Sequence, residues 1–127
     1  MTERTGQCLC GAVRFKLAAD PLVTRICWCR DCQHLAANGT VNMLVPADSG
    51  NAVTRQFCPT CGTHLFAKVS ARPQFRVVRA GNLDDPSSIK PALNIWSSRA
   101  PAWACLDPTL EQVDKQPSPP PQPQVAS

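Results

Sequence analysis

The sequence predicts a mainly β domain with metal-binding knuckles at its strand ends. Short apolar runs recur at period two, as in Ala12-Val13-Arg14-Phe15-Lys16-Leu17, which is the signature of a half-buried strand. No apolar pattern of helical period persists for three turns, so no long helix is expected. Seven of the eight cysteines fall into three clusters: Cys8-Leu9-Cys10, Cys27-Trp28-Cys29-Arg30-Asp31-Cys32 and Cys58-Pro59-Thr60-Cys61. Thiolates this close in sequence turn readily toward one ion, whereas such near neighbours rarely pair with each other as disulfides.

Taken in order, the first strand runs from Ala12 to Leu17 and is broken by Asp20-Pro21. A second, Leu22 to Cys27, delivers the chain into the middle cysteine cluster. Arg30 to Ala37 forms a short helical turn ended by Asn38-Gly39, and Thr40 to Val45 is a third strand stopped at Pro46. The polar stretch 47–53 contains a turn at Ser49-Gly50-Asn51. Thr54 to Phe57 then leads into Cys58-Pro59-Thr60-Cys61-Gly62, where Pro presets a tight turn and Gly supplies the positive φ of a metal knuckle. Two further strands, His64 to Val69 and Phe75 to Ala80, flank a loop at Ala71-Arg72-Pro73. Gly81 to Pro86 is a loop, Ala92 to Trp96 the last strand, and an irregular arm follows through Trp103.

The final stretch, Gln116 to Ser127, reads QPSPPPQPQVAS and is expected to be an extended, solvated tail. One domain over residues 1–115 and one tail over 116–127 follow. Aromatic residues make up only 6% of the chain, so metal crosslinks are well placed to supplement the core. No apolar run approaches the roughly 18–20 residues that span a bilayer, and MTERTGQC has no apolar secretion signal. Eight cysteines in an unexported chain favour metal binding in a reducing cytoplasm over disulfides. The formal charge of +4 falls to about +1 once two thiolate-bound zinc ions are counted. The Lys and Arg residues are scattered singly, so charge points to no nucleic-acid partner.

A two-ligand cluster cannot close a tetrahedral site alone. Cys8 and Cys10 therefore combine with Cys58 and Cys61 into a closed, structural four-thiolate zinc site. Cys27, Cys29 and Cys32 stand apart as a second metal site. It either keeps an exchangeable fourth position or is closed by Cys105 or a histidine. Cys105 itself reads as a small buried hydrophobe. His34 is a proton shuttle, a hydrogen-bond partner of a metal ligand, or simply an exposed polar residue, and His64 is expected to hydrogen-bond within the four-thiolate site. Trp96 and Trp103 read as core or rim residues. Arg30 and Arg99 read as solvated surface, with contact to a substrate carboxylate as the alternative. A three-thiolate zinc is a weak activator of water but suits capture of an incoming thiol, which points to thiol-adduct chemistry rather than hydrolysis.

These clusters and their neighbours resemble the glutathione-dependent formaldehyde-activating enzyme family, also called the CENP-V/GFA domain. The matching pieces are Cys8-Leu9-Cys10-Gly11-Ala12-Val13, Cys27 to Cys32, Phe57-Cys58-Pro59-Thr60-Cys61-Gly62-Thr63, Gly81-Asn82-Leu83-Asp84-Asp85-Pro86, and Asn94-Ile95-Trp96-Ser97 through Pro101-Ala102-Trp103. The resemblance implies a β-tent of antiparallel strands with two zinc ions per chain. By motif match, Cys8, Cys10, Cys58 and Cys61 take the structural ion and Cys27, Cys29 and Cys32 the catalytic one. It further implies a carbon–sulfur lyase that joins glutathione to formaldehyde as S-hydroxymethylglutathione, acting on small molecules with no nucleic-acid or membrane partner. Two departures stand out. The segment between Cys32 and Cys58 is short for the family, by what resembles a strand pair after Val45-Pro46, and Trp28 stands where relatives often carry His. The alternative function is a non-catalytic zinc module that binds a protein, with the Pro-rich tail as a recognition segment. A sulfoxide-reductase reading would need an activated Cys105, and Trp103-Ala104-Cys105-Leu106 is too apolar for that.

Overall fold

A computed structural model describes residues 3–46, 54–68, 74–118 and 120. The expected turns at Ser49-Gly50-Asn51 and Ala71-Arg72-Pro73, the position of the shortened segment after Pro46, and most of the Pro-rich tail lie outside the described residues. Among the described residues nine strands form: β1 (Arg4–Gln7), β2 (Arg14–Leu17), β3 (Val23–Cys27), β4 (Thr40–Pro46), β5 (Thr54–Phe57), β6 (His64–Lys68), β7 (Phe75–Arg79), β8 (Leu93–Ile95) and β9 (Glu111–Val113). One α-helix, α1 (Arg30–Ala36), and 3-10 turns at Ala80–Asn82, Pro86–Ser88 and Ser97–Arg99 complete the described elements. The mainly β reading holds.

β1 and β2 pair as an antiparallel hairpin, with Gly6 opposite Phe15. The remaining strands form one sheet in the order β5-β6-β7-β4-β3-β8-β9. Its sequence-local pairings are antiparallel, but β8 runs parallel to both β3 and β9, so the sheet is mixed rather than wholly antiparallel. The long connection from Cys27 to Leu93 permits this, since parallel neighbours need a crossover rather than a hairpin.

β4 is central, and its successive residues Met43 and Leu44 are both buried because side chains alternate between two covered faces. Met43, Val45, Val78, Ala80 and Leu83 pack with Leu17 of the hairpin as the main core. Phe15 and Phe66 extend it through an edge-to-face contact at 5.2 Å. Gly6 makes that docking possible. A Cβ there would lie 2.3 Å from the Phe15 ring and 2.5 Å from the Asn82 carbonyl oxygen.

Two strands have no counterpart in the sequence reading, and β8 is accordingly not the last. β1 (RTGQ) and β9 (EQV) are almost wholly polar, and each buries little of itself. They are held by backbone pairing at sheet edges, which leaves no apolar period to read. Helix α1 matches its expected span closely, though it ends at Ala37 rather than at Asn38-Gly39. Ala37 takes the left-handed conformation (φ 60°), and its N–H returns to the Gln33 carbonyl at 2.7 Å.

Candidate metal centres

The sheet and hairpin bring the seven clustered cysteines into two groups, each with sulfurs within 4.8 Å of one another: Cys8, Cys10, Cys58 and Cys61, and Cys27, Cys29 and Cys32. All are free thiols, as is Cys105.

The four-thiol group joins two knuckles 48 residues apart. In the first, Cys8 N–H donates to Val13 O at 3.0 Å, Gly11 N–H to Cys8 O at 3.1 Å, and Val13 N–H to Cys8 Sγ at 3.3 Å. In the second, Cys58 N–H donates to Thr63 O at 2.9 Å and Gly62 N–H to Cys58 O at 2.7 Å. Gly11 (φ 80°) and Gly62 (φ 77°) supply the left-handed backbone that closes each turn. The Cys8–Cys10 sulfurs are 3.6 Å apart and the Cys10–Cys58 sulfurs 3.8 Å. Zn–S bonds of about 2.3 Å in a tetrahedron place sulfurs about 3.8 Å apart, so this donor set fits such an ion.

Thr63 links the knuckles. Its hydroxyl oxygen accepts from Leu9 N–H at 3.1 Å and lies 3.1 Å from Cys61 Sγ, to which the hydroxyl donates. That bond and one from the Thr63 backbone hold the Cys61 thiol down at about 5. The bonded Val13 backbone likewise lowers Cys8. Cys10 is pushed up to about 11, the Ala12 backbone bond that favours its thiolate being outweighed by Cys8, burial and the other two sulfurs.

The three-thiol group is built differently. Cys27 ends β3, Cys29 caps α1, and Cys32 sits in the first helical turn, its N–H donating to Cys29 Sγ at 3.4 Å. One candidate ligand thus also caps the helix that carries the next. Trp28 anchors the loop between them. Its N–H donates to Ile95 O at 3.0 Å and its buried indole donates to Asn94 Oδ1 at 3.2 Å. Gln33 Nε2 donates to Trp28 O at 2.6 Å and to Arg99 O at 3.0 Å, clamping the loop to the late arm.

Charge in this group is uneven. Hydrogen bonding to Cys32, then burial, drives the Cys27 thiol far above the ordinary range, and burial raises Cys29. Cys32 is brought down to about 5 by Cys27 first, then Cys29, the Arg79 charge and the Thr40 hydroxyl, with burial opposing. The one lowered thiol of the group, Cys32, thus stands beside two raised ones, Cys27 and Cys29.

Among the described residues, no further histidine, cysteine or carboxylate joins this group. Cys105, expected to be a small buried residue, is instead exposed and belongs to neither group. The arm that carries it is a chain of turns on the surface, where Trp103 is also 68% exposed. His34 is exposed in the last turn of α1. His64 does not bond within the four-thiol group as expected. Its ring lies 6.2 Å from that of Phe57, and its Nδ1 is buried with no partner among the described residues. Trp96 is half-buried, its indole donating to Gln116 Oε1 at 3.0 Å. Arg30 and Arg99 are exposed, and Arg30 bonds Gln33 Oε1 at 2.6 Å.

Sequence reasoning did not single out Thr63, Gln33, Thr40 or Arg79. Thr63 had a signal, because a hydroxyl just after a CPTCG knuckle is placed to meet its last thiol. Thr40 and Arg79 had none, because only the sheet order brings β4 and β7 to the cysteine loop.

No helix is long and apolar enough to cross a membrane among the described residues. A family model described as "Glutathione-dependent formaldehyde-activating enzyme" matches residues 3–49 and 35–99, and the limits where the two matches meet fall between Cys32 and Cys58. No curated protein matches the chain.

Proposed function

The chain belongs to the glutathione-dependent formaldehyde-activating enzyme family, and from that premise we propose that it is a zinc-dependent carbon–sulfur lyase acting on thiol–aldehyde adducts. The observation that carries this reading is the gathering of Cys27, Cys29 and Cys32 with no fourth protein ligand among the described residues, beside a complete four-thiol group elsewhere. Cys8, Cys10, Cys58 and Cys61 hold a structural zinc that ties the hairpin to the β5–β6 turn. Cys27, Cys29 and Cys32 hold the catalytic one. A zinc ion held by these three residues would supply a Lewis acid for a thiol sulfur or a carbonyl oxygen.

The chain's own residues set the terms of that chemistry. Trp28, Asn94 and Gln33 hold the cysteine loop in one geometry, so its three sulfurs need no rearrangement. Burial of Cys27 and Cys32 limits water around them. In the synthetic direction, sulfur–carbon bond formation turns the carbonyl π pair into a hydroxyl, and the thiol's proton ends on that oxygen. No oxidant or reductant is needed. Glutathione with formaldehyde is the pair implied by the family's name.

We further propose that the domain ends near residue 115 and the tail follows. Trp96 N–H donates to Lys115 O at 3.2 Å and Ser98 Oγ to Asp114 O at 2.6 Å, while residues 117–127 carry no strand or helix among those described. Eight free thiols suit the reducing cytoplasm. A non-catalytic zinc module is the second reading. It is favoured by Leu9 (86% exposed) and Phe57 (58% exposed), which stand out beside the four-thiol knuckles.

The test is exchange spectroscopy on labelled formaldehyde and glutathione. Adduct formation and breakdown should exceed the spontaneous rates in the presence of the protein, and Cys29→Ser should abolish the excess. Rates equal to the uncatalysed ones with several thiols and aldehydes would favour the binding module.

A further inference from the structure

A cavity of about 270 Å³ opens between the end of α1 and the β7 terminus. Its wall includes Leu35, Thr40, Val41, His64, Arg79 and Asn82. One of these residues reaches the cysteine loop: Thr40 Oγ1 donates to Cys32 O at 3.3 Å. The cavity therefore borders, through Thr40, the segment that carries Cys32.

Its polar character is specific. Arg79 is half-buried and forms no ion pair among the described residues. Its Nη1 donates to the neutral Asn42 Oδ1 at 2.6 Å, which holds the guanidinium in place without a carboxylate partner among the described residues. Guanidinium carries five N–H donors, and the remaining ones suit a carboxylate. No Asp or Glu is among the lining residues. Asn82 Nδ2 donates to His64 O at 2.7 Å, so the 3-10 turn is tied to β6 and the cavity mouth is fixed rather than loose. The volume falls just below the roughly 300–1,000 Å³ of pockets that hold a whole drug-sized ligand. It suits one arm of a ligand whose sulfur lies outside it.

We propose that this cavity is a specificity subsite for a carboxylate-bearing arm of the thiol, with Arg79 as its anion-binding residue. The proposal rests on the thiol-adduct reading of the neighbouring three-thiol group. It makes the preferred substrates anionic thiols, among which a neutral thiol of equal length is a poor substitute. Gly81 gives a second handle on the same space. It lines the cavity, and a Cβ built on it meets no atom within 4 Å, so a larger residue adds bulk at the cavity wall without a backbone clash.

The test is calorimetric binding of 3-mercaptopropionate and its neutral amide to the zinc-containing protein, with zinc content measured for each variant. The wild type should prefer the acid. Arg79→Gln should weaken the acid about tenfold, the scale of one charge-assisted hydrogen bond, and move the amide by less than about twofold. Gly81→Leu should weaken the acid to a similar degree with the arginine intact. Equal losses for acid and amide in Arg79→Gln would place the arginine's effect at the sulfur and overturn the subsite. So would an undiminished preference for the acid in Gly81→Leu, which decides the matter if Arg79→Gln does not fold. If neither thiol binds the wild type, the thiol-adduct reading falls, and the subsite with it. Binding of both thiols without discrimination removes the subsite alone.

Discussion

Trp28 and Asn94 stand 66 residues apart in sequence and meet in the interior, where the indole Nε1 donates to Asn94 Oδ1 at 3.2 Å. Both are almost wholly buried, and Asn94 is directly opposite Ile26 in the parallel β3–β8 pair. The bond joins the cysteine loop to the strand laid down last beside it. Trp28 therefore has a structural role in this chain.

Asn94→Leu leaves the buried indole N–H without its acceptor, and such a loss costs about 1–3 kcal/mol. Urea unfolding of the zinc-containing protein should show that decrease as a lower midpoint at unchanged slope. The variant should also lose metal from the Cys27, Cys29 and Cys32 group faster than from the other, because the lost bond supports that loop alone.

Gly39 sits against the same tryptophan. A Cβ there would lie 2.7 Å from Trp28 Cε2 and 2.8 Å from Ile26 Cγ2. Gly39→Ala should destabilise by about 1–3 kcal/mol through overpacking, read as a reduced thermal midpoint. Gly81→Ala meets open space and should stay within about 0.5 kcal/mol of wild type.

Thr63→Val removes the hydroxyl that donates to Cys61 and accepts from Leu9. Groups that bond to metal ligands typically contribute 10–100-fold in metal affinity, so zinc should leave the four-thiol group about that much more readily. Competition with a chelator measures it, and Thr63→Ser, which keeps the hydroxyl, should restore most of the affinity.

Acid should empty the two groups in a fixed order. Metal binding must displace protons from Cys27 and Cys29, both held above the ordinary thiol range, Cys27 chiefly by Cys32 and Cys29 chiefly by burial. A raised pKa means that protons compete from a higher pH downward. In the four-thiol group Cys10 is also raised, to about 11, but Cys61 is held at about 5 and Cys8 is lowered, so two of its thiols favour the thiolate against one, Cys32 at about 5, in the three-thiol group. A titration from about pH 8 to about pH 5 should release zinc from the three-thiol group first, because each displaced proton costs about tenfold in affinity per pH unit. Simultaneous release, or the reverse order, would contradict the assignment.

The two cysteine groups were legible because ligand spacing is a local property. Two-residue clusters cannot complete a tetrahedron, so counting alone divides the seven thiols into four and three, and the structure brings together those groups. The central strands were legible for a similar reason, since β4 and β7 carry enough apolar residues to show. β1 and β9 were not, because edge strands held by backbone bonds leave no pattern in their side chains. Cys105 misled because its neighbours Trp103 and Leu106 are apolar, although the arm they share lies on the surface. Arg79 and Thr40 could not be placed, since only the pairing of β4 with β7 and the close of α1 sets them beside Cys32.

The most direct measurement is native mass spectrometry of the reduced protein, with and without glutathione, on wild type and on Cys29→Ser. Two zinc ions per chain are expected in the wild type, one of them more easily lost and able to carry a glutathione, and one tightly held ion without an adduct in Cys29→Ser. Two equally inert ions that take up no glutathione would contradict the account, because Cys27, Cys29 and Cys32 would then be closed to an incoming thiol.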